Sequence, residues 1–365
     1  MSVPAAGGRG GAATDVAGRV VQWQAAHGRN HLPWQNTRDP YRVWLSEIML
    51  QQTQVATVLG YYQRFLDRFP NVQALAAAPQ DDVLALWSGL GYYSRARNLH
   101  RCAQIVVAEH GGQFPRSVEQ LAALPGIGRS TAGAIAAFCF GVRAPILDAN
   151  VRRVLTRVLG FGQDLAQAAS ERALWQQAEE LLPTEDLQQA MPRYTQGLMD
   201  LGAGICLPRK PSCMLCPLQE VCVARREGEP ERYPVRTRKL KRSAGRWWLL
   251  LQRDADGRVW LQRRPATGIW AGLYCPPAFD SHEALMDAAP TGPLQDLPAF
   301  THVLTHRDLH LHPVLAPAQL AAVALAQEDE APGAWFAPAQ WRALGLPAPI
   351  RALLERLAQD GGLQN

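Results

Sequence analysis

Between Asp15 and Leu207 apolar residues recur at three- and four-residue intervals, interrupted by proline and glycine, and no stretch alternates as a strand would. Val43, Trp44, Ile48 and Val55 keep this interval, as do Val83, Leu84, Leu86 and Trp87, the run from Ala132 to Phe140, and Leu174, Trp175, Ala178, Leu181 and Leu182. The pattern predicts an all-α half. It changes at Trp247-Trp248-Leu249-Leu250-Leu251, where an apolar run, a turn at Asp254-Ala255-Asp256-Gly257 and a second run at Val259-Trp260-Leu261 predict a β-hairpin. A further strand is expected over Phe300 to Val314, with helices over Pro338 to Leu344 and Pro349 to Leu357, so the C-terminal part reads as α+β.

These elements divide the chain into a disordered tail over residues 1–14, a helical domain over 15–224, a linker over 225–245 and a smaller α+β domain over 246–361. The linker reads as basic because Arg225 to Arg246 hold nine arginines and lysines against three glutamates, with Pro230 and Pro234 among them. It serves equally well as a solvated tether or as a contact to nucleic acid.

With 365 residues and 47% apolar composition, two or three ordinary cores are available. The longest apolar run, Ala132 to Val142, is far shorter than the roughly 20 residues that cross a membrane, and residues 1–14 lack a signal-peptide pattern. A soluble, cytoplasmic protein is expected. A net charge of +5 permits an anionic partner without requiring one. The kind of base is more informative: lysine occurs only at Lys210, Lys239 and Lys241, so residues 1–209 contain none.

Cys206, Cys213, Cys216 and Cys222 stand at C-x6-C-x2-C-x5-C spacing, around Arg209 and Lys210. Four thiolates on short loops suit a [4Fe-4S] cluster. Zinc is the competing metal, although its structural sites usually pair two close C-x2-4-C units or add histidine, and this window has one such unit and no histidine. Disulfides are the remaining reading, weakened by Cys102, Cys139 and Cys275 standing singly elsewhere.

Two carboxylates attract notice. Glu47 lies among Ile48, Leu50 and Val55, where a carboxyl keeps its proton and can act as a general acid, although with Gln51 and Gln54 it also fits a solvated helix stripe. Asp148 precedes a new helical pattern, the ordinary place for an N-terminal acid. Cleavage of a glycosidic bond needs two such groups, one to protonate the leaving group and one to stabilise the sugar cation. Between them in sequence, Leu124 to Gly133 joins a glycine turn to a helix start, with Ser130 or Thr131 available as N-cap and backbone N–H groups at Gly126 and Gly128 able to hold a DNA phosphate.

These motifs, together with Leu32-Pro33-Trp34, Ser46 to Val55, Gly89 to Leu99, Leu147 to Arg153 and the four cysteines, resemble in order and spacing the adenine DNA glycosylases of the MutY family, iron-sulfur enzymes of the helix-hairpin-helix superfamily. The resemblance implies a monomeric base-excision enzyme acting on double-stranded DNA, at adenine opposite 8-oxoguanine or guanine. It implies that Glu47 protonates the adenine and Asp148 stabilises the sugar cation. Gln52 and Tyr92 match wedges beside the mispair, and Thr53 and Leu90 match contacts near the oxidised guanine. Ser130, Asn150, Arg209 and Lys210 join the implied DNA contacts, and the four cysteines the cluster ligands. In the related endonuclease III family a lysine stands where this chain has Ser130 and forms the Schiff base of strand cleavage. With no lysine before Lys210, a monofunctional glycosylase without lyase activity is expected.

Residues 246–361 resemble the MutT-like (Nudix-like) domain with which MutY enzymes read 8-oxoguanine, through Gly268 to Tyr274 and Phe300 to His306. The family loop usually reads Phe-Ser-His where this chain has Leu304-Thr305-His306; Thr305 keeps the hydroxyl, and with His306 is implied in recognition, but the aromatic is lost. The R-E-x-x-E-E arrangement that holds magnesium in active hydrolases is missing. Recognition, not hydrolysis, is expected of this domain.

Overall fold

The structure, a computed structural model, describes residues 15–237, 242–289, 293–317 and 333–360. The expected tail over 1–14, and Lys239 and Lys241 of the linker, lie outside the described residues. The chain divides into two compact units, Met1–Gln51 with Ala108–Lys239 and Gln52–Val107 with Leu240–Asn365.

The first unit is helical. It holds α1 (Val16–His27) and α2 (Pro40–Leu50), and after the helices α3 (Val55–Arg68), α4 (Val72–Ala77), α5 (Gln80–Trp87) and most of α6 (Ser94–His110) have passed, resumes with α7 (Val118–Ala122), α8 (Arg129–Phe140), α9 (Ala149–Leu159), α10 (Ala168–Glu180), α11 (Leu187–Gly204) and α12 (Val223–Arg226). Its core gathers Val20, Ala137, Val151, Leu155, Leu174, Met191, Leu198 and Leu201, from α1, α8, α9, α10 and α11. Gly133 lets α8 close on the following extended segment, because an added Cβ there would fall 2.5 Å from the carbonyl oxygen of Pro145.

Residues 225–237 are not a free tether. Tyr233 is buried, its carbonyl accepts from Arg157 Nε at 3.3 Å, and the Val235 carbonyl accepts from the Leu165 N–H at 3.1 Å. An aromatic ring and backbone pairing hold a segment whose charge alone suggested solvent.

In the second unit a mixed sheet is built from β1 (Ser243–Arg253), β2 (Val259–Arg263), β3 (Tyr274–Cys275), β4 (Ala278–Phe279), β5 (Gln295–Asp296), β6 (Phe300–Val303), β7 (Arg307–Pro317) and β8 (Ala334–Phe336). The path runs β3-β2-β1-β7-β5, with β4 beside β1, β6 beside β7 and β8 beside β2. The expected hairpin is β1 and β2, paired antiparallel. The single strand expected over Phe300 to Val314 is instead two antiparallel strands, because the chain reverses at 304–306 and so carries Thr305 and His306 to a hairpin tip. Helices α13 (His282–Ala288), α14 (Pro338–Arg342) and α15 (Ala348–Asp360) complete this part.

Helices α3 to α6, which sequence groups with the rest of the helical half, belong in the structure with this sheet. Tyr93 Oη donates to the Leu346 carbonyl at 2.7 Å, Arg97 to the Ala271 carbonyl at 2.5 Å, and Arg351 Nε to Ser88 Oγ at 3.1 Å. Arg263 and Asp81 form an ion pair between the same two segments.

Candidate active site and DNA-reading elements

Helix α2 begins at Asp39, whose side chain accepts from the Tyr41 N–H at 2.9 Å, with Pro40 preorganising the first turn. Val43, Trp44, Leu45, Ser46, Ile48 and Met49 are all buried, so Glu47 is an acid set in an apolar helix and not part of a solvated stripe. The helix ends at Leu50, which removes Gln54 from its face. Burial, with the charge of Asp148 adding to it, pushes the Glu47 carboxyl up from 4.5 to about 8. Glu47 therefore holds its proton at neutral pH.

Glu47 lines a cavity of about 210 Å³ shared with Trp34, Gln35, Ser46, Phe138 and Gln196. That is smaller than the roughly 300–1,000 Å³ of drug-sized sites and suits one base better than a whole nucleotide. Gln35 is a residue that sequence reasoning missed. Both atoms of its carboxamide are buried without a hydrogen-bond partner among the described residues, and an amide offers the paired donor and acceptor that a purine edge requires. Its position next to Trp34 was the one available signal.

Asp148 caps α9, its Oδ1 accepting from the Val151 N–H at 2.7 Å. Burial raises its carboxyl, opposed by backbone N–H groups of Val151 and Asn150 and by Arg153 and Arg152. It acts electrostatically on Glu47 without lining the cavity wall. The segment leading to it is held by Ser130, whose Oγ accepts from the Leu147 N–H at 3.1 Å. The Ser130 hydroxyl is thus engaged inside the protein and serves the placement of Asp148.

In the hairpin, α7 and α8 are joined by a turn in which Gly126 holds φ +78°, a conformation that favours glycine. The cap of α8 is Gly128, not Ser130 or Thr131, because the helix already begins at Arg129. No side chain caps it and a Cβ at Gly128 would meet open space, so the first N–H groups face outward as an anion site needs. Asn150 is turned to structure: its Oδ1 accepts from Arg153 at 2.9 Å.

Five described non-glycine residues hold positive φ: Gln52, Tyr92, Asp186, Lys210 and Trp270. Three of them, Gln52, Tyr92 and Lys210, are residues that sequence nominates for DNA, and such strain persists where the surrounding fold imposes it. Gln52 and Arg209 are exposed, and Lys210 is exposed with its N–H donated to Glu231 at 2.8 Å. Thr53 accepts from Arg95 at 3.1 Å. Leu90 is buried, whereas Tyr92 is 43% exposed.

In the second unit, Leu90 and Tyr92 line a cleft of about 550 Å³ with Trp270, Val303, Thr305 and His306. There the Tyr92 hydroxyl is hydrogen-bonded to Thr305 Oγ1. Tyr92, matched to a wedge beside the mispair, and Thr305, implied in recognition of the oxidised guanine, thus meet although they stand 213 residues apart in sequence.

Cys206 follows α11, Cys213 and Cys216 bracket one 3₁₀ turn, and Cys222 precedes α12; all four are free thiols. They ring one cavity whose other walls include Val154, Val158 and Ile205. Among the described residues, no three metal-ligating side chains close around a point suited to a single ion. Four thiols around one cavity are a donor set that fits an iron-sulfur cluster or a structural zinc ion. Burial and the other three thiols push Cys216 up to about 12; metal binding displaces such protons. Arg157, buried on α9 and unnoticed in the sequence, donates to Cys206 Sγ at 3.3 Å and to the carbonyls of Leu207 at 2.7 Å and Pro208 at 3.0 Å. Its charge suits an anionic cluster.

The pattern of the HhH-GPD superfamily base excision DNA repair proteins matches residues 45–180, and that of the NUDIX domain matches residues 247–356. The adenine DNA glycosylase of Buchnera aphidicola subsp. Acyrthosiphon pisum is 35% identical over 347 residues, spanning 93% of this chain and 97% of that protein. The human adenine DNA glycosylase is 42% identical over 228 residues, 60% of this chain and 41% of its own. The solved structure of a thermostable thymine-DNA glycosylase superposes with a TM-score of 0.51 at 29% identity, covering 58% of this chain and 95% of its own. No described helix is long and apolar enough to cross a membrane. A match that runs nearly end to end in both chains, over both folds, leads to one conclusion: the chain belongs to the adenine DNA glycosylase family.

Proposed function

We propose that the protein is a monofunctional glycosylase that removes adenine paired with 8-oxoguanine or guanine in double-stranded DNA. The observation that carries this reading is a carboxylic acid, Glu47, protonated at neutral pH in the wall of a base-sized cavity and coupled to a second carboxyl, Asp148.

The adenine must leave the stack to reach such a cavity, and the wedge residues Gln52 and Tyr92 compensate the unstacking. Gln35 offers its amide to the edge of the base. Glu47 then gives its proton to the adenine ring, at N7 as the family resemblance implies, and the C–N bond breaks with its electrons leaving on the base. Asp148, as the carboxylate, faces the oxocarbenium-like sugar; a water molecule adds its oxygen to that cation and releases a proton to solvent, and Glu47 takes one back from solvent to close the cycle. A [4Fe-4S] cluster on Cys206, Cys213, Cys216 and Cys222 would supply no step of this hydrolysis; it would fix the loop that presents Arg209 and Lys210 to phosphate. Ser130 and the lack of lysine in residues 1–209 leave no lysine amine for a Schiff base in the segment that carries Glu47, the hairpin and Asp148. Residues 246–361, with Thr305 and His306 at the tip of the β6–β7 hairpin, read the oxidised guanine.

Incubation with a duplex carrying one 8-oxoguanine:adenine pair should release adenine and leave an intact strand that breaks only on treatment with alkali. Nicking without alkali, trapped by borohydride, would overturn the monofunctional assignment; release of a pyrimidine in preference to adenine would overturn the substrate.

A further inference from the structure

Among the described residues, one face of the mixed sheet of the second unit is only half covered. Strands β1 and β7 run parallel with Arg246 opposite His310 and Trp248 opposite His312, and Thr301 on β6 lies opposite His310. Alternation along the strands puts these five side chains on one face, together with Leu250, Val314 and Ala316 further along. Leu285 of α13 covers the apolar end in a small core with Leu250, Val314 and Ala316. The other end stays open as a cavity of about 330 Å³, lined by Arg246, Trp248, Phe300, Thr301, His310 and His312. None of these belongs to the base pocket, the wedge loop or the 304–306 tip.

The chemistry of this open end is specific. Trp248 and His312 stack with centroids 4.8 Å apart and planes 14° from parallel, presenting a half-buried aromatic pair on which a further ring can lie. Arg246 is exposed, and its side chain makes no hydrogen bond or ion pair among the described residues. His310 Nδ1 is bonded to Thr301 Oγ1 at 2.9 Å, which orients the ring on the sheet. Burial, and then the neighbouring charges of Arg246 and His310, hold His312 below its ordinary value, with Asp296 on β5 acting in the opposite sense. The face therefore sets one exposed guanidinium, that of Arg246, beside an aromatic stacking surface. An apolar peptide would leave Arg246 unpaired, and a bare anion would leave the aromatic pair unused. A ligand that is both flat and anionic satisfies both.

We propose that this open half-face binds a nucleoside phosphate, the base stacked on the Trp248–His312 pair and the phosphate held by Arg246. The same chemistry is offered by a free nucleotide and by one unit of an unpaired DNA strand. Titration calorimetry on the full chain tests it with four probes: dGMP, deoxyguanosine, inorganic phosphate and a single-stranded tetranucleotide. Saturable binding of dGMP or of the tetranucleotide is expected, at least tenfold tighter than deoxyguanosine or phosphate alone. The tighter of the two identifies the source. Arg246→Gln should weaken binding about tenfold, and Trp248→Leu by roughly tenfold or more, as loss of a stacked base does, while adenine release from duplex DNA is unchanged in Arg246→Gln. Trp248 also packs beside the small core, so Arg246→Gln is the deciding variant. Absence of saturation by both ligands up to about millimolar concentration, or wild-type affinity in Arg246→Gln, overturns the proposal.

Discussion

Replacing Glu47 by glutamine should make the protein more stable at neutral pH while abolishing adenine release, and the gain should vanish in acid. The folded carboxyl is raised from 4.5 to about 8 by burial and by Asp148. Below pH 4.5 the group is neutral in both folded and unfolded chains, so it contributes no pH-dependent penalty. Above 4.5 the unfolded chain ionises while the folded one holds its proton, and stability falls with rising pH until about 8, where the folded group ionises as well. At about 1.36 kcal/mol per unit of displacement, the penalty is about 1 kcal/mol at pH 5 and about 4 kcal/mol at pH 7.5. Water entering the cavity makes these upper values. Glutamine does not titrate, so any packing or hydrogen-bonding difference between the two residues is the same at both pH values. The stability of Glu47→Gln relative to wild type should therefore rise by about 3 kcal/mol between pH 5 and pH 7.5. Urea unfolding of both proteins at the two pH values, followed by tryptophan fluorescence, reads this difference as a shift in midpoint at constant slope. A difference that stays flat or reverses would refute the buried, protonated acid, whatever the variant does to activity.

Thr305→Val and Tyr92→Phe each remove one side of the same hydrogen bond, so a double-mutant cycle should give a coupling of about 1 kcal/mol in unfolding; both single variants should discriminate less between 8-oxoguanine and guanine opposite adenine, and unaltered discrimination argues against the reading role. With the proposed [4Fe-4S] cluster bound, the protein should absorb visible light, and Cys213→Ser should lose that absorption and weaken DNA binding more than the rate of base release from bound DNA, with purification of a fully coloured, tightly binding variant as the contrary result. Ending the chain near residue 240 removes the Leu346 and Ala271 carbonyls that accept from Tyr93 and Arg97. Hydrogen exchange should then rise across α5 and α6; protection equal to that of the full chain would show that these helices stand without the sheet.

How far the sequence could be read depended on whether a signal was local. The apolar periods of α2, α8 and α10, the β1–β2 hairpin and the cysteine spacing are properties of short segments, and they reappear in the structure. Glu47 could be nominated because its immediate neighbours are apolar. What escaped were interactions between distant segments. Nothing around Arg157 announces that its guanidinium reaches Cys206, Leu207 and Pro208, and nothing in a basic, proline-containing stretch announces that Tyr233 is buried. Gln35 looked like any polar residue after a tryptophan until both its amide atoms proved buried and unsatisfied. The reversal at 304–306 was hidden because flanking β-formers read as one strand. The attachment of α3 to α6 to the C-terminal sheet depends on single contacts, such as Tyr93 to Leu346, that no periodicity carries.

Arg157 gives the cysteine loop mechanical access to the chemistry. Helix α9 has 11 residues, about 16 Å of length. Asp148 caps its first turn, and Arg157 projects from its last, clamped by the cysteine-loop carbonyls and by Tyr233. Should the loop loosen, a buried guanidinium loses its acceptors, a defect of about 1–3 kcal/mol or more, and the helix can relieve it only by shifting or fraying. The helix is thus a rod with the cysteine loop gripping one end and Asp148, the second carboxyl of the proposed mechanism, fixed to the other. Damage to the sulfur cage would register at Asp148 as a change of aim, before any part of the protein unfolds.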